Sequence, residues 1–176
     1  LTEGNMKIEK AVLFPGADSA MFQEWMGNFL THTQDNNATF QAMHTYFDGM
    51  DTLSVTEQIS FSSERKWSAM TFSGAGTLVI GAPERLSPEK LPESVLAAQQ
   101  NGKRVLLAGI TQHAVQKEQP LPEMQLLAEI ILTDPLRANA AKTIAAFQQE
   151  GVSVKLISGD NPMTASAMAQ QAGIFQ

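Results

Sequence analysis

The sequence predicts an α+β chain: an antiparallel sheet with flanking helices, followed by a partial α/β unit of βαβ type. Three observations predict it. Phe22, Trp25, Met26 and Phe29 recur at i, i+3, i+4 and i+7, which gives a helix one buried face. From Val55 to Thr111, short β-type runs alternate with glycine and proline breaks. Beyond Glu123, two apolar runs flank one helical repeat with short links, the pattern of a right-handed parallel crossover.

In chain order, Met6 to Phe14 alternates as a short strand and ends at Pro15-Gly16. The aromatic helix follows, capped by Asp18 or Ser19. The polar break Gln34-Asp35-Asn36-Asn37 precedes a second helix over Thr39 to Phe47. Gln58 to Ser62, Lys66 to Phe72 and Thr77 to Ile80 read as strands, the last two joined by a Gly74-Ala75-Gly76 hairpin turn. Gly81-Ala82-Pro83-Glu84 ends the third, Pro88 to Gln100 supplies helical turns, and Arg104 to Thr111 is a further strand. Pro120 and Pro122 mark Gln116 to Glu123 as the best linker. Gln125 to Leu132 is then an apolar strand, Ala140, Ile144 and Phe147 mark a helix face, and Val152 to Ile157 is a second buried strand. Pro162 suits the first position of a last helix, capped by Asp160 or Asn161 and stopped by Gly173.

At 176 residues the chain fits one domain and a fraction of another. A hydrophobic content of 43% with 17% charged residues is that of a globular protein and excludes a disordered or fibrous class. The net charge of −6 argues against a chain that coats nucleic acid or anionic membrane. With no cysteine there is no disulfide, thiolate metal site or cysteine nucleophile. The apolar runs fall short of the roughly 20 residues that a membrane helix needs.

The sharpest chemical signal is the junction Ser158-Gly159-Asp160. A glycine loop between a strand end and a helix N-terminus presents backbone N–H groups to an anion such as phosphate. Asp160 reads equally as a helix cap or as a group that meets a ribose hydroxyl or a metal-bound water. Phe61 with Arg65 and Lys66, and Arg104 opening a later strand, could stack an adenine ring and neutralise phosphates. Solvated surface cations and a core phenylalanine are the plainer reading of the same residues. His32, His44 and His113 have no partner at metal-ligand spacing, and neither a serine-nucleophile elbow nor a Walker A loop is present.

Several short motifs occur in a definite order. Leu1-Thr2-Glu3-Gly4 opens the chain. Phe61-Ser62-Ser63-Glu64-Arg65-Lys66, Ile80-Gly81-Ala82-Pro83-Glu84 and the Arg104 strand follow. Asp134-Pro135-Leu136-Arg137, Ser158-Gly159-Asp160-Asn161 and Gly173-Ile174-Phe175 close it. Together they resemble the cytoplasmic part of a P-type cation-transporting ATPase of bacterial type, across nearly the whole length. The first resembles the end of the family's DKTGTLT, the third its KGAPE, and the Asp134 and Ser158 motifs its DPxR and TGDN.

The resemblance implies residues 1–6 as a remnant of a phosphorylation domain, 7–123 as the nucleotide-binding domain, and 124–176 as a partial phosphorylation domain of haloacid-dehalogenase-like (Rossmann-type) fold. It implies that Phe61 stacks adenine, Lys66 lies at the pocket floor, the Gly81-Ala82 backbone lets the purine approach, and Arg104 reaches the phosphates. Asp134, Arg137, Ser158, Gly159 and Asp160 would meet the nucleotide from the phosphorylation domain. It also implies ATP and ADP as ligands, Mg²⁺ in the intact enzyme, and the transmembrane and actuator parts of the same pump as partners. The cation would bind elsewhere, nucleic acid would not be a partner, and the segment would stand on the cytoplasmic side of a membrane. The phosphorylated aspartate would lie upstream of Leu1, so no catalytic residue and no metal ligand is expected within the chain, which would bind nucleotide without phosphorylating itself. Ile80 stands where the family has a lysine, and Phe40 where its TExAL segment has a glutamate, which predicts a variant pocket of lower ATP affinity. The competing classes are a haloacid-dehalogenase-like phosphatase, whose nucleophilic DxD or DxT strand is not found before Thr2, and a non-catalytic nucleotide-binding or interaction module.

Overall fold

The structure is a computed structural model and describes residues 1–174, so Phe175 of the closing motif lies outside the described residues. Its centre is a six-stranded antiparallel sheet in the order β1-β6-β5-β4-β3-β2. The strands are β1 (Lys7–Leu13), β2 (Val55–Ile59), β3 (Trp67–Phe72), β4 (Gly76–Gly81), β5 (Arg104–Thr111) and β6 (Gln125–Thr133). β3 and β4 form the expected hairpin, with Gly74 (φ 70°) and Gly76 (φ 118°) taking the left-handed conformations that the turn requires.

Alternation along the strands divides the core. One face carries Met70, Phe72, Leu78, Ile80, Ala108, Ile130 and Leu132 against the aromatic stripe of α1 (Ser19–His32) and the apolar side of α2 (Ala38–Tyr46). The Trp25 and Phe72 rings meet edge to face at 5.4 Å. Asp18 caps α1 by accepting from Met21 N at 2.7 Å, and Asn37 caps α2 by accepting from Thr39 N and Phe40 N. On the other face, Trp67, Ala69, Val79, Val105 and Leu107 pack under α3 (Pro83–Leu86) and α4 (Glu93–Gln100).

The parallel βαβ unit is not formed. The run Gln125–Thr133 is a sheet strand, as its apolar sequence predicts, but it lies antiparallel between β1 and β5. A unit boundary after residue 123 would therefore cut a strand from the middle of the sheet, which continues to Thr133. The expected strand over Val152 to Ile157 carries no strand pairing, and Ile157 is 96% exposed. The reason is hydrogen bonding: β6 finds partners on both sides, whereas residues 152–157 have none beside them among the described residues. α5 (Ala140–Gln149) and α6 (Pro162–Gln171) complete the chain. Ile144, Ala172 and Ile174 form a small separate core, while Phe147, expected on the same buried face, is exposed. The β2 segment also begins and ends three residues earlier than its sequence pattern predicts.

Contacts with α4 and the turn that follows it hold the last segment in place. α6 packs on α4, Thr164 Oγ1 donates to Lys103 O at 2.9 Å, and Gln171 Nε2 donates to Asn101 O at 3.3 Å. The chain start meets the residues after β6: Glu3 N donates to Pro135 O at 2.9 Å, and Thr2 bridges Leu136. No helix among the described residues is long and apolar enough to cross a membrane.

Candidate functional site

A cavity of about 490 Å³ opens at the end of the sheet where β4 leaves and β5 enters. Its volume is within the range of small-ligand sites. Phe61, Lys66, Gly81, Ala82 and Arg104 all line it, and Gly159 and Asp160 approach from the loop before α6. Residues from separate stretches of chain thus converge on one space.

The local geometry holds each of them. Phe61 follows β2 and is 38% exposed; its backbone N–H donates to Asp35 Oδ2 at 2.9 Å. Lys66 has φ 62°, a conformation that costs a side-chain-bearing residue energy and clusters at functional sites. It is pinned from both sides, its N–H donating to Ser62 O at 2.7 Å and its carbonyl accepting from Ala82 N at 2.9 Å. The Lys66 Nζ lies 3.3 Å from Glu84 Oε1 in a half-exposed pair, weak enough for a ligand anion to compete with. Gly81 has no positive φ; the reason for glycine there is space, because an added Cβ would sit 2.5 Å from Trp67 Cβ and 2.7 Å from Lys66 O. Arg65 is turned away, its guanidinium lying 5.3 Å from the Trp67 ring centre and donating to Ser60 O.

At the other end, Arg104 Nη2 donates to Asp160 Oδ1 at 2.5 Å. Sequence left Asp160 open between cap and ligand. In the structure Asn161 is the cap, accepting from Met163 N at 2.9 Å with Pro162 in the first turn, so the Asp160 carboxylate is free to face Arg104. Asp160 N donates to Ser158 Oγ, which shapes the Ser158-Gly159 turn. Ser158 and Asp134 line a second cavity of about 180 Å³ that shares Arg104 and Asp160 with the first. Arg137 lines neither; its Nε donates to Thr2 O at 2.9 Å. Among the described residues no three His, Asp or Glu side chains gather to hold a metal ion.

Sequence reasoning missed several lining residues. Thr164, Ser68 and Gln99 border the main cavity, and Met43 of α2 forms part of its apolar wall beside Phe40, which the sequence already places at the pocket.

No protein-family model matches the chain. It is 35% identical over 176 residues to a probable cation-transporting ATPase, exp7, of Streptococcus pneumoniae serotype 4, covering 98% of this chain and 22% of that protein. It is 35% identical over 143 residues to the calcium-transporting ATPase CtpE of Mycobacterium tuberculosis, covering 78% of this chain and 18% of that one. The chain thus spans about a fifth of the length of these curated relatives. The crystal structure of a zinc-transporting PIB-type ATPase has the same fold over 99% of this chain and 26% of its own, with a TM-score of 0.53 at 19% identity. On these likenesses and on the six-stranded antiparallel fold, the chain belongs to the P-type cation-transporting ATPases, as a segment of such a pump.

Proposed function

We propose that this segment binds ATP and positions it for phosphoryl transfer in a longer cation pump. The observation that carries the reading is the convergence of Phe61, Lys66, Gly81, Ala82 and Arg104 on one 490 Å³ cavity. An aromatic face at one side offers stacking for a purine, and the close Gly81-Ala82 backbone leaves room for its plane. Lys66 and Arg104 supply charge-assisted donors for phosphate oxygens, and the N-terminus of α6 adds a favourable local field. Positioning and charge neutralisation are what phosphoryl transfer chiefly asks of a protein.

In this reading Lys7 to Thr133 form the nucleotide-binding unit, and residues 1–6 with the segment from Asp134 onward belong to a phosphorylation unit. Asp160, Gly159 and Ser158 approach the nucleotide from that second unit, and ATP would replace Asp160 as the partner of Arg104. The described residues do not gather a magnesium site, so no step is assigned to the metal. The whole pump would couple ATP hydrolysis, through an aspartyl phosphate, to cation movement, with this segment on the cytoplasmic side. The relatives' names give calcium, zinc and unspecified cations, and the choice among them lies with membrane parts outside this segment.

Titration of ATP, ADP and GTP into the 176-residue chain, followed by amide chemical shifts, tests the reading. Adenine-selective perturbation is expected at Phe61, Lys66 and Gly81. A flat response to all three nucleotides would overturn it.

A further inference from the structure

The peptide group between Ser60 and Phe61 is held at both ends by side chains of opposite charge. Its carbonyl oxygen accepts from Arg65 Nη2 at 2.6 Å, and its N–H donates to Asp35 Oδ2 at 2.9 Å. The two clamping groups come from separate loops. Asp35 stands between α1 and α2, where its own N–H donates to Thr33 Oγ1 at 3.2 Å and Gln58 Nε2 of β2 donates to the same hydroxyl oxygen at 3.4 Å. Arg65 closes the turn that follows Phe61; its N–H donates to Ser62 Oγ at 3.1 Å, and its guanidinium lies over the buried Trp67 ring. A charged partner makes each clamping bond stronger than one between neutral groups.

Phe61 has little else to hold it. The ladder of the edge strand β2 ends at Ile59, two residues earlier, and does not fix the direction of Phe61. Phe61 is 38% exposed and, among the described residues, belongs to none of the apolar clusters, so packing does not fix it either. The peptide group is planar, so holding its carbonyl and its N–H sets the plane from which the Phe61 side chain projects. An aromatic side chain already held in one direction gives up less freedom when a flat ligand stacks on it. Phe61 borders the main cavity, whereas neither Asp35 nor Arg65 lines it, so neither touches a ligand there.

We propose that Asp35 and Arg65 are positioning residues for nucleotide binding: they clamp the Ser60–Phe61 peptide and thereby aim Phe61 at the base. This rests on the nucleotide reading above and gives a task to Arg65, which faces away from the cavity. Charge alone makes the opposite prediction for Asp35. A carboxylate repels a triphosphate, so its removal by charge alone would leave ATP binding unchanged or tighten it. Under the clamp, its removal weakens ATP.

Isothermal titration of the 176-residue chain and its variants with ATP, and with inorganic triphosphate, which has no base, tests the clamp. Both clamping bonds are solvent-exposed, which keeps the expected effect modest. Asp35→Ala should weaken ATP about fivefold and leave inorganic triphosphate as tight or tighter. Asp35→Asn loses the charge but keeps an oxygen that accepts the Phe61 N–H, and should recover most of the lost affinity. Arg65→Met should weaken ATP more than inorganic triphosphate, because the lost charge affects both ligands alike and the lost clamp only the one with a base. In a Phe61→Ala chain, adding Asp35→Ala should change ATP affinity no further. Equal ATP affinity of Asp35→Ala and wild type overturns the clamp and leaves nucleotide binding standing. So does an equal loss for both ligands in Asp35→Ala, or a further loss on adding it to Phe61→Ala, since either marks a general structural effect. Absence of ATP binding by the wild-type chain overturns the nucleotide reading itself. Asp35 and Arg65 hold one peptide from separate loops, so if one variant fails to fold the other carries the test.

Discussion

Gly81→Ala puts the close approach of β4 to β3 under direct test. Atoms of this kind normally sit about 3.5–4.0 Å apart. The added methyl would lie 2.5 Å from Trp67 Cβ, 2.7 Å from Lys66 O and 2.9 Å from Trp67 Cα. The overlap is about 1 Å at the tightest contact, and none of these atoms belongs to the free end of a side chain. Relief requires the Trp67–Gly81 end of the hairpin ladder to move apart. Overpacking of this sort costs about 1–3 kcal/mol. Taking about 2 kcal/mol, and about 2–4 °C per kcal/mol for a chain of this size, the melting temperature falls by about 4–8 °C. The same strip holds the bond from Ala82 N to Lys66 O, so displacement of Lys66 should cost roughly one charged hydrogen bond, or about tenfold in ATP affinity. Calorimetric melting and ATP titration of the same preparation read both effects. A variant that melts within about 1 °C of wild type and binds ATP equally would show slack in the hairpin and refute the steric account.

Three further substitutions separate the roles of other residues. Lys66→Gly removes a left-handed conformation costing about 1–2 kcal/mol and gives up a half-exposed ion pair worth under about 1 kcal/mol, so stability should rise slightly. ATP binding by the same variant should weaken by about 1–3 kcal/mol, and an unchanged affinity would remove Lys66 from the site. Arg104→Ala should weaken ATP by about 1.5–3 kcal/mol while leaving adenosine affinity unaltered, as titration with each ligand will show. Asn37→Ala removes the cap of α2 and should cost about 1 kcal/mol, read as a lower urea midpoint at unchanged slope.

The sheet and the first two helices were legible because their signals are local. The i, i+3, i+4 spacing of Phe22 to Phe29, the Asp18 cap and the Gly74-Ala75-Gly76 turn each act within a few residues. Pairing is not local, and there the sequence misleads. The apolar run at Gln125 to Leu132 identifies a buried strand, yet nothing in it says whether its neighbours lie parallel or antiparallel. The run at Val152 to Ile157 has strand composition but no strand beside it to bond. The candidate site divides similarly. Phe61, Lys66, Gly81 and Arg104 sit in recognisable short motifs, and the structure brings them to one cavity. Ser68 and Gln99 were silent, because a serine in a strand and a glutamine in a helix carry no local signal of the cavity they border.

The entry and exit of the sheet lie side by side, since Lys7 pairs with Thr133 at one end of the β1–β6 ladder. A pull applied through residues 6 and 134 would act across that ladder from its open end and break the pairs one after another. Such a zipper yields at far lower force than strands loaded in shear, where all bonds resist together. The bond from Glu3 N to Pro135 O and the Thr2–Leu136 bridge lie just outside this end. They would part first, as a short sacrificial clasp, before the load reaches the strand that carries Glu129 and the apolar centre of the sheet.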